Sequence, residues 1–213
     1  MARHTGPVCK LCRREGAKLF LKGERCYAAE KCSFERRPYP PGQHGKGRIK
    51  VSEYGKRLRE KQKVRRVYGV LERQFLKCFK AAARRKGVTG ENLLKTLESR
   101  FDSVVFRMGL GATRADARQL VRHNHVLVNG RRANIPSRSI KPGDIVSLAA
   151  NSRKIDRVRR AAELAGSRDR APWIEMAADG LSGTFRAAPS RGELEAVQPV
   201  EINEQLVVEF YSR

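Results

Sequence analysis

Four of the chain's five cysteines lie in one short stretch, VCKLCRREGAKLFLKGERCYAAEKC, from Val8 to Cys32. A disulfide framework, a redox dithiol or a metal site would each concentrate thiols this way. The N-terminus, MARHTGPVCK, has no apolar segment and no small-residue cleavage site behind it, so it is not read as a secretory signal. No apolar run approaches the roughly 18 residues of a membrane span. The chain is therefore expected in the cytoplasm, where thiols stay reduced. A redox Cys-x-x-Cys wants a strand before it and a helix after it, and no strand pattern precedes Cys9.

The metal reading fits better. Cys9 and Cys12 form one knuckle, and Cys26 and Cys32 follow after a short loop. Zinc takes four soft ligands in a tetrahedron, and paired cysteines flanking a loop supply them. The second pair, with five residues between its thiols, is wider than the usual spacing of about two to four. His4 and His44 have no partner at ligand spacing and read as loop histidines. A tetrathiolate site leaves no open coordination position, so one structural zinc ion held by Cys9, Cys12, Cys26 and Cys32 is expected to fold an N-terminal knob and to catalyse nothing.

Charge narrows the partner. The 213 residues carry a formal charge of +24, unevenly spread: residues 1–160 hold +28 and residues 161–213 hold −4. Such a polycation repels itself unless a polyanion covers it, and nucleic acid is the obvious one. An anionic membrane would want basic amphipathic helices with bulky apolar faces, and aromatics are only 7% here.

After the cysteines, ERRPYPPGQHGKGRIK reads as an extended basic arm. Its prolines favour polyproline geometry, its glycines break regular structure, and Arg36, Arg37, Lys46 and Arg48 stud it. From Ser52 the pattern turns helical, with Tyr54, Leu58 and Lys61 along one side and Arg57, Arg65 and Arg66 among the bases on the rest. Gly69 ends that helix. In VLERQFLKCFKAAARRKG, Leu71, Phe75, Cys78, Phe79 and Ala82 recur at helical spacing. Cys78 is thereby a core thiol and not a fifth ligand. Thr89 caps a third helix faced by Leu93, Leu94 and Leu97.

Leu97, Phe101, Val104, Val105 and Met108 form the next apolar stripe. Thr113, three residues before Asp116, opens a helix that turns Ala117, Leu120 and Val121 inward. Arg114, Arg118 and Arg122 are four apart and are expected to line one phosphate-binding face, with Arg131 and Arg132 in the following loop. Asn129-Gly130 signals a hairpin, and Pro142-Gly143-Asp144 signals a second turn before a strand through Ile145, Val146 and Leu148. In the acidic end, PWIEMAADGLSGTFRAAP reads as a hairpin. INEQLVVEFYSR reads as a short helix from Asn203 or as a strand through Val207 and Val208. Glu201, Glu204 and Glu209 are expected to help form a protein–protein boundary. The bland alternative is that this end packs only on its own chain.

The block TRADARQLVRHNHVLVNGRRANIPSRSIKPGDIV resembles the S-four RNA-binding module, which some pseudouridine synthases and tyrosyl-tRNA synthetases share. GPVCKLCRREG, ERRPYPPGQHG, LREKQKVRRVYG and NEQLVVEFYSR extend the likeness over nearly the whole chain, to the bacterial small-subunit ribosomal protein S-four family. The cysteine cluster resembles that family's zinc-binding form, with one extra residue between the last two thiols. The resemblance implies a primary binder of small-subunit ribosomal RNA that folds an RNA junction early in assembly. It also implies a place near the path by which messenger RNA enters, a contact with protein S-five, and a link to translational accuracy. The alternatives are a free-standing RNA chaperone or translational repressor, or an RNA-modifying enzyme of the pseudouridine synthase type. No Gly-Arg-Leu-Asp context, Walker loop or Gly-x-Ser-x-Gly elbow occurs, so no enzyme is expected. The expected fold is α+β: a zinc knob and arm over 1–50, a helical domain over 51–96 with 195–213 packing back, and an S-four-type module over 97–194 with a β-hairpin extension.

Overall fold

The apolar periodicities are realised as ten α-helices and five strands among the residues that the computed structural model describes, 3–47, 50–165 and 171–212. In chain order they are α1 (Cys9–Glu15), α2 (Ser33–Arg36), α3 (Glu53–Val67), α4 (Glu72–Ala83), α5 (Thr89–Glu98), α6 (Phe101–Arg107) and α7 (Arg114–Arg122). Then follow β1 (Val126–Val128), β2 (Arg131–Arg132), β3 (Ile145–Leu148), α8 (Asp156–Ala165), β4 (Ile174–Met176), β5 (Ser182–Phe185), α9 (Arg191–Val197) and α10 (Glu204–Tyr211). The chain divides into two compact units, residues 1–93 with 199–213 and residues 94–198, so the boundary falls inside α5.

In the first unit the Ser52 hydroxyl accepts from the Gly55 N–H and caps α3. Just beyond the C-terminal end of α3, Gly69 stands at φ +62°, where a side chain is strained. Helix α4 turns Phe75, Cys78, Phe79 and Ala82 into the core. Cys78 is thus a core thiol, away from the other four. The ambiguous C-terminal segment is a helix: the Asn203 side chain accepts from the Leu206 N–H and opens α10. Helix α10 packs against α3, and the Asn203 N–H donates to Glu60 Oε1 at 2.8 Å. At Gly90 a Cβ would stand 2.4 Å from Glu204 Cγ, so α5 admits α10 there because glycine has no side chain.

The second unit centres on one antiparallel sheet of order β2-β1-β3-β5-β4. Asn129 (φ +50°) and Gly130 (φ +74°) make the turn between β1 and β2 with both residues left-handed, the geometry that suits a two-residue hairpin. Val126, Val128, Val146, Leu148 and Phe185 are buried. The hairpin of β4 and β5 extends the sheet on its β3 side. Val146 pairs with Gly183, which continues the sheet. In the same unit α6, carrying Phe101, Val104 and Val105, packs against α7, carrying Ala117, Leu120 and Val121, and all six side chains are buried. Among the described residues no helix is long and apolar enough to cross a membrane.

Candidate nucleic-acid interface and thiol cluster

Six of the thirteen bases expected to face RNA answer carboxylates of their own chain. In the first unit Lys61 is buried, donates to Glu72 Oε1 at 2.7 Å, and lies 4.5 Å from the Phe210 ring centre. Arg65 reaches Glu72 Oε2 at 3.5 Å, Arg57 donates to Glu209 Oε2 at 2.7 Å, and Arg66 joins Arg59 on Glu15. Burial raises the Glu15 carboxyl, against the pull of Arg66 and Arg59. Burial also pushes Glu72 up, but hydrogen bonds from Lys61 and Tyr211 outweigh it, and the net shift is downward.

The expected arginine face of α7 does not form. Arg118 is 7% exposed and donates to Asp102 Oδ2 at 3.1 Å, beside the bidentate Arg100–Asp102 pair. Arg114 donates to Ser103 Oγ at 3.1 Å and to Glu98 Oε1 at 3.0 Å, with Arg107 on the same carboxylate. Only Arg122 of the three is exposed. Four-residue spacing spreads a helix stripe by about 40° per step, and α7 is short enough for its first turns to lie against α6.

What remains open to solvent is a smaller set. Arg36, Arg37, Arg122, Arg131 and Arg132 are exposed and have no ion pair with a described residue. Lys46 is exposed and lies 5.3 Å from the Tyr39 ring centre, with Arg13 on the same ring at 5.0 Å. Arg13 also donates to Tyr39 O at 2.9 Å, which ties the proline-rich arm to α1. Arg48 lies outside the described residues. The apolar spacing of α4 marks its inner face and assigns nothing to its outer one. Arg73, Lys77, Lys80 and Arg84 are all exposed there, at a 4-3-4 spacing that was visible in the sequence.

Of the three acids expected at a protein boundary, Glu201 is exposed, Glu209 holds Arg57, and Glu204 is buried. Val51 is 54% exposed and Tyr54 56%. The Tyr54 ring centre stands 5.6 Å from that of Phe210.

Cys9, Cys12, Cys26 and Cys32 line one pocket with Lys18, Lys22, Arg25 and Lys31. Lys22 N–H donates to Cys26 Sγ at 3.3 Å. Burial pushes Cys12 and Cys26 up, and the neighbouring thiols add to it. The donor chemistry is that of a thiolate metal site. As placed, however, no three His, Cys, Asp or Glu side chains among the described residues converge closely enough to hold an ion.

Known families match the chain over residues 3–146. Residues 3–98 match the family described as ribosomal protein S4/S9 N-terminal domain, and residues 99–146 match the S4 domain. The small ribosomal subunit proteins uS4 of Azoarcus sp., Pelotomaculum thermopropionicum and Thermus thermophilus are 58%, 55% and 52% identical to the chain, each over the full length of both. The chain belongs to the uS4 family. Membership accounts for the two-unit division, since the boundary inside α5 lies close to the junction of the two family matches. It also sets the ion pairs in context. Bases left facing outward here lie on α4, on the arm, at Arg122 of α7 and on the β1–β2 hairpin.

Proposed function

We propose that the chain is a structural constituent of the small ribosomal subunit. It binds small-subunit ribosomal RNA, nucleates its assembly and contributes to translational accuracy. The single observation behind this is full-length identity above half with proteins named small ribosomal subunit protein uS4. Exposed cations without internal partners supply the phosphate contacts. It works on the ribosome in the cytoplasm and catalyses nothing. The relatives carry ribosomal names and not those of enzymes, which speaks against the pseudouridine synthase alternative. Crosslinking in cells tests the proposal. Small-subunit ribosomal RNA should dominate the captured material, and a spread of messenger RNAs would instead favour the chaperone or repressor.

Two finer readings belong to the same proposal. Val51, Tyr54 and Phe210, together with the exposed Glu201, form a contact with a basic neighbouring ribosomal protein, protein S-five in the family likeness. The chain also sits near the path by which messenger RNA enters, as the family likeness implies. In addition, Cys9, Cys12, Cys26 and Cys32 hold one structural zinc ion, which supplies a cross-link and no chemistry. The shared pocket and the four thiols support this, and the thiols must draw together to close on the ion.

A further inference from the structure

Helix α4 carries a row of bases that no fold contact explains. At about 100° per residue, Arg73, Lys77, Lys80 and Arg84 fall within roughly 60° of one another, opposite Phe75, Cys78, Phe79 and Ala82. All four are exposed, and none has an ion pair or hydrogen bond with a described residue through its side chain. The one acid of α4, Glu72, faces Lys61 and Tyr211. On α3, by contrast, Arg57, Arg59, Lys61, Lys63, Arg65 and Arg66 all meet carboxylates.

A solvated face does not look like this. Arg73–Lys77, Lys77–Lys80 and Lys80–Arg84 are like-charge pairs at helix-neighbour spacing, and such pairs destabilise a helix. The helix dipole welcomes Lys80 and Arg84 near the C-terminal end, but it disfavours Arg73 in the first turn. A row that costs helix stability and has no internal partner is matched to an external polyanion. From Arg73 to Arg84 the row spans about 16 Å, long enough to follow several phosphates of a nucleic-acid strand.

We infer that the outer face of α4, through Arg73, Lys77, Lys80 and Arg84, is a phosphate-binding surface for the backbone of structured RNA, independent of base sequence. The inference rests on the ribosomal RNA reading and adds to it a surface separate from the arm and from α7.

The test uses the full chain and small-subunit ribosomal RNA transcribed in vitro, with affinity measured from about 50 to about 200 mM salt. The variant R73Q/K77Q/K80Q/R84Q should bind at least about tenfold more weakly at the low-salt end. Its slope of log affinity against log salt should be shallower by about 3, for four lost phosphate contacts. The charge-keeping variant R73K/K77R/K80R/R84K should retain the parental slope. An unchanged slope in the glutamine variant would overturn the inference, and so would an equal loss in the charge-keeping variant. Parental RNA affinity with failed incorporation into subunits would assign the face to a protein and overturn it too. A parent chain with no salt-dependent affinity would instead overturn the ribosomal RNA reading, and this one with it.

Discussion

Lys61 and Glu72 form an ion pair at 2.7 Å, and the Tyr211 hydroxyl donates to the same Glu72 oxygen, also at 2.7 Å. One carboxylate therefore joins α3, α4 and α10. The Lys61 side chain is 6% exposed and that of Glu72 is 43% exposed, so Glu72 regains water if its partner is lost. We expect K61M to destabilise the helical unit by about 1–2 kcal/mol, below the cost of a fully buried broken pair. Denaturant unfolding measures this. The salt slope of RNA binding should not change, and a shallower slope would return Lys61 to the RNA surface.

Arg118 and Arg122 sit one helical turn apart and should behave oppositely. Arg118 meets Asp102 in the interior, where both side chains are under a tenth exposed. R118A leaves Asp102 with Arg100 alone and should cost about 3 kcal/mol. R122A removes an exposed base and should change stability by less than about 0.5 kcal/mol, while lowering the salt slope of RNA binding by roughly 0.7–0.9. Thermal melts and binding titrations on the two single variants decide it. Equal melts would contradict the buried pair.

The helical unit has pH limits of opposite sign. Glu72 is held below its ordinary value, so its contribution is complete above the unfolded pKa, near 4.3, and is lost as pH falls through the folded one. Tyr211 is raised by burial and by Glu72. Its folded form keeps the proton where the unfolded tyrosine ionises, near 10, so stability falls as pH rises past about 10. Glu15 is raised and works against Glu72 on the acid side. The difference between parent and E72Q isolates the Glu72 part. It should shrink as pH drops from about 6 to about 3, and a constant difference would refute the pairing.

Local signals were legible and long-range pairing was not. Asn129-Gly130 announced its hairpin because both residues adopt the left-handed conformation that a tight two-residue turn of this type needs. Thr113 announced α7 because its hydroxyl accepts from the Asp116 N–H. The fate of an arginine depends on a partner that sequence proximity does not reveal. Arg57 meets Glu209 across 152 positions, and Arg118 meets Asp102 across 16. Counting bases on a helix face therefore overstated α7 and missed α4; each helix carries one acid, so acid content does not tell the two apart. The tail was ambiguous because Leu206, Val207 and Val208 suit a strand as well as a helix; the Asn203 cap and the packing on α3 select the helix.

The protein boundary should reside more in apolar contact than in the three acids. Glu204 is buried and Glu209 is engaged by Arg57, so reversing them disturbs the fold first. Val51 and Tyr54 are over half exposed, and the Tyr54 ring centre lies 5.6 Å from that of Phe210. The double variant V51S/Y54S should keep its melting temperature within a few degrees, since exposed positions contribute about 0.5 kcal/mol or less. It should weaken the contact with the neighbouring ribosomal protein and alter decoding accuracy. Unchanged accuracy with an unchanged contact would leave this face as solvent-facing surface.

The thiol pocket offers the sharpest chemical test. Structural zinc in small fingers contributes on the order of 10–16 kcal/mol of folding energy. The N-terminal segment here has other ties. Glu15 of α1 holds Arg59 and Arg66 of α3, and Arg13 fixes the arm through Tyr39. Metal removal should therefore loosen residues 9–32 locally while α3, α4 and α10 stay folded, with amide exchange faster around Cys26 and Cys32 and unchanged in α4. Native mass spectrometry of the parent should find one zinc ion per chain, and C12S should lose it. A metal-free parent with slow exchange throughout residues 9–32 would show that these ties and the reduced thiols suffice. The pocket would then be a packed cluster of cysteines with no ion in it.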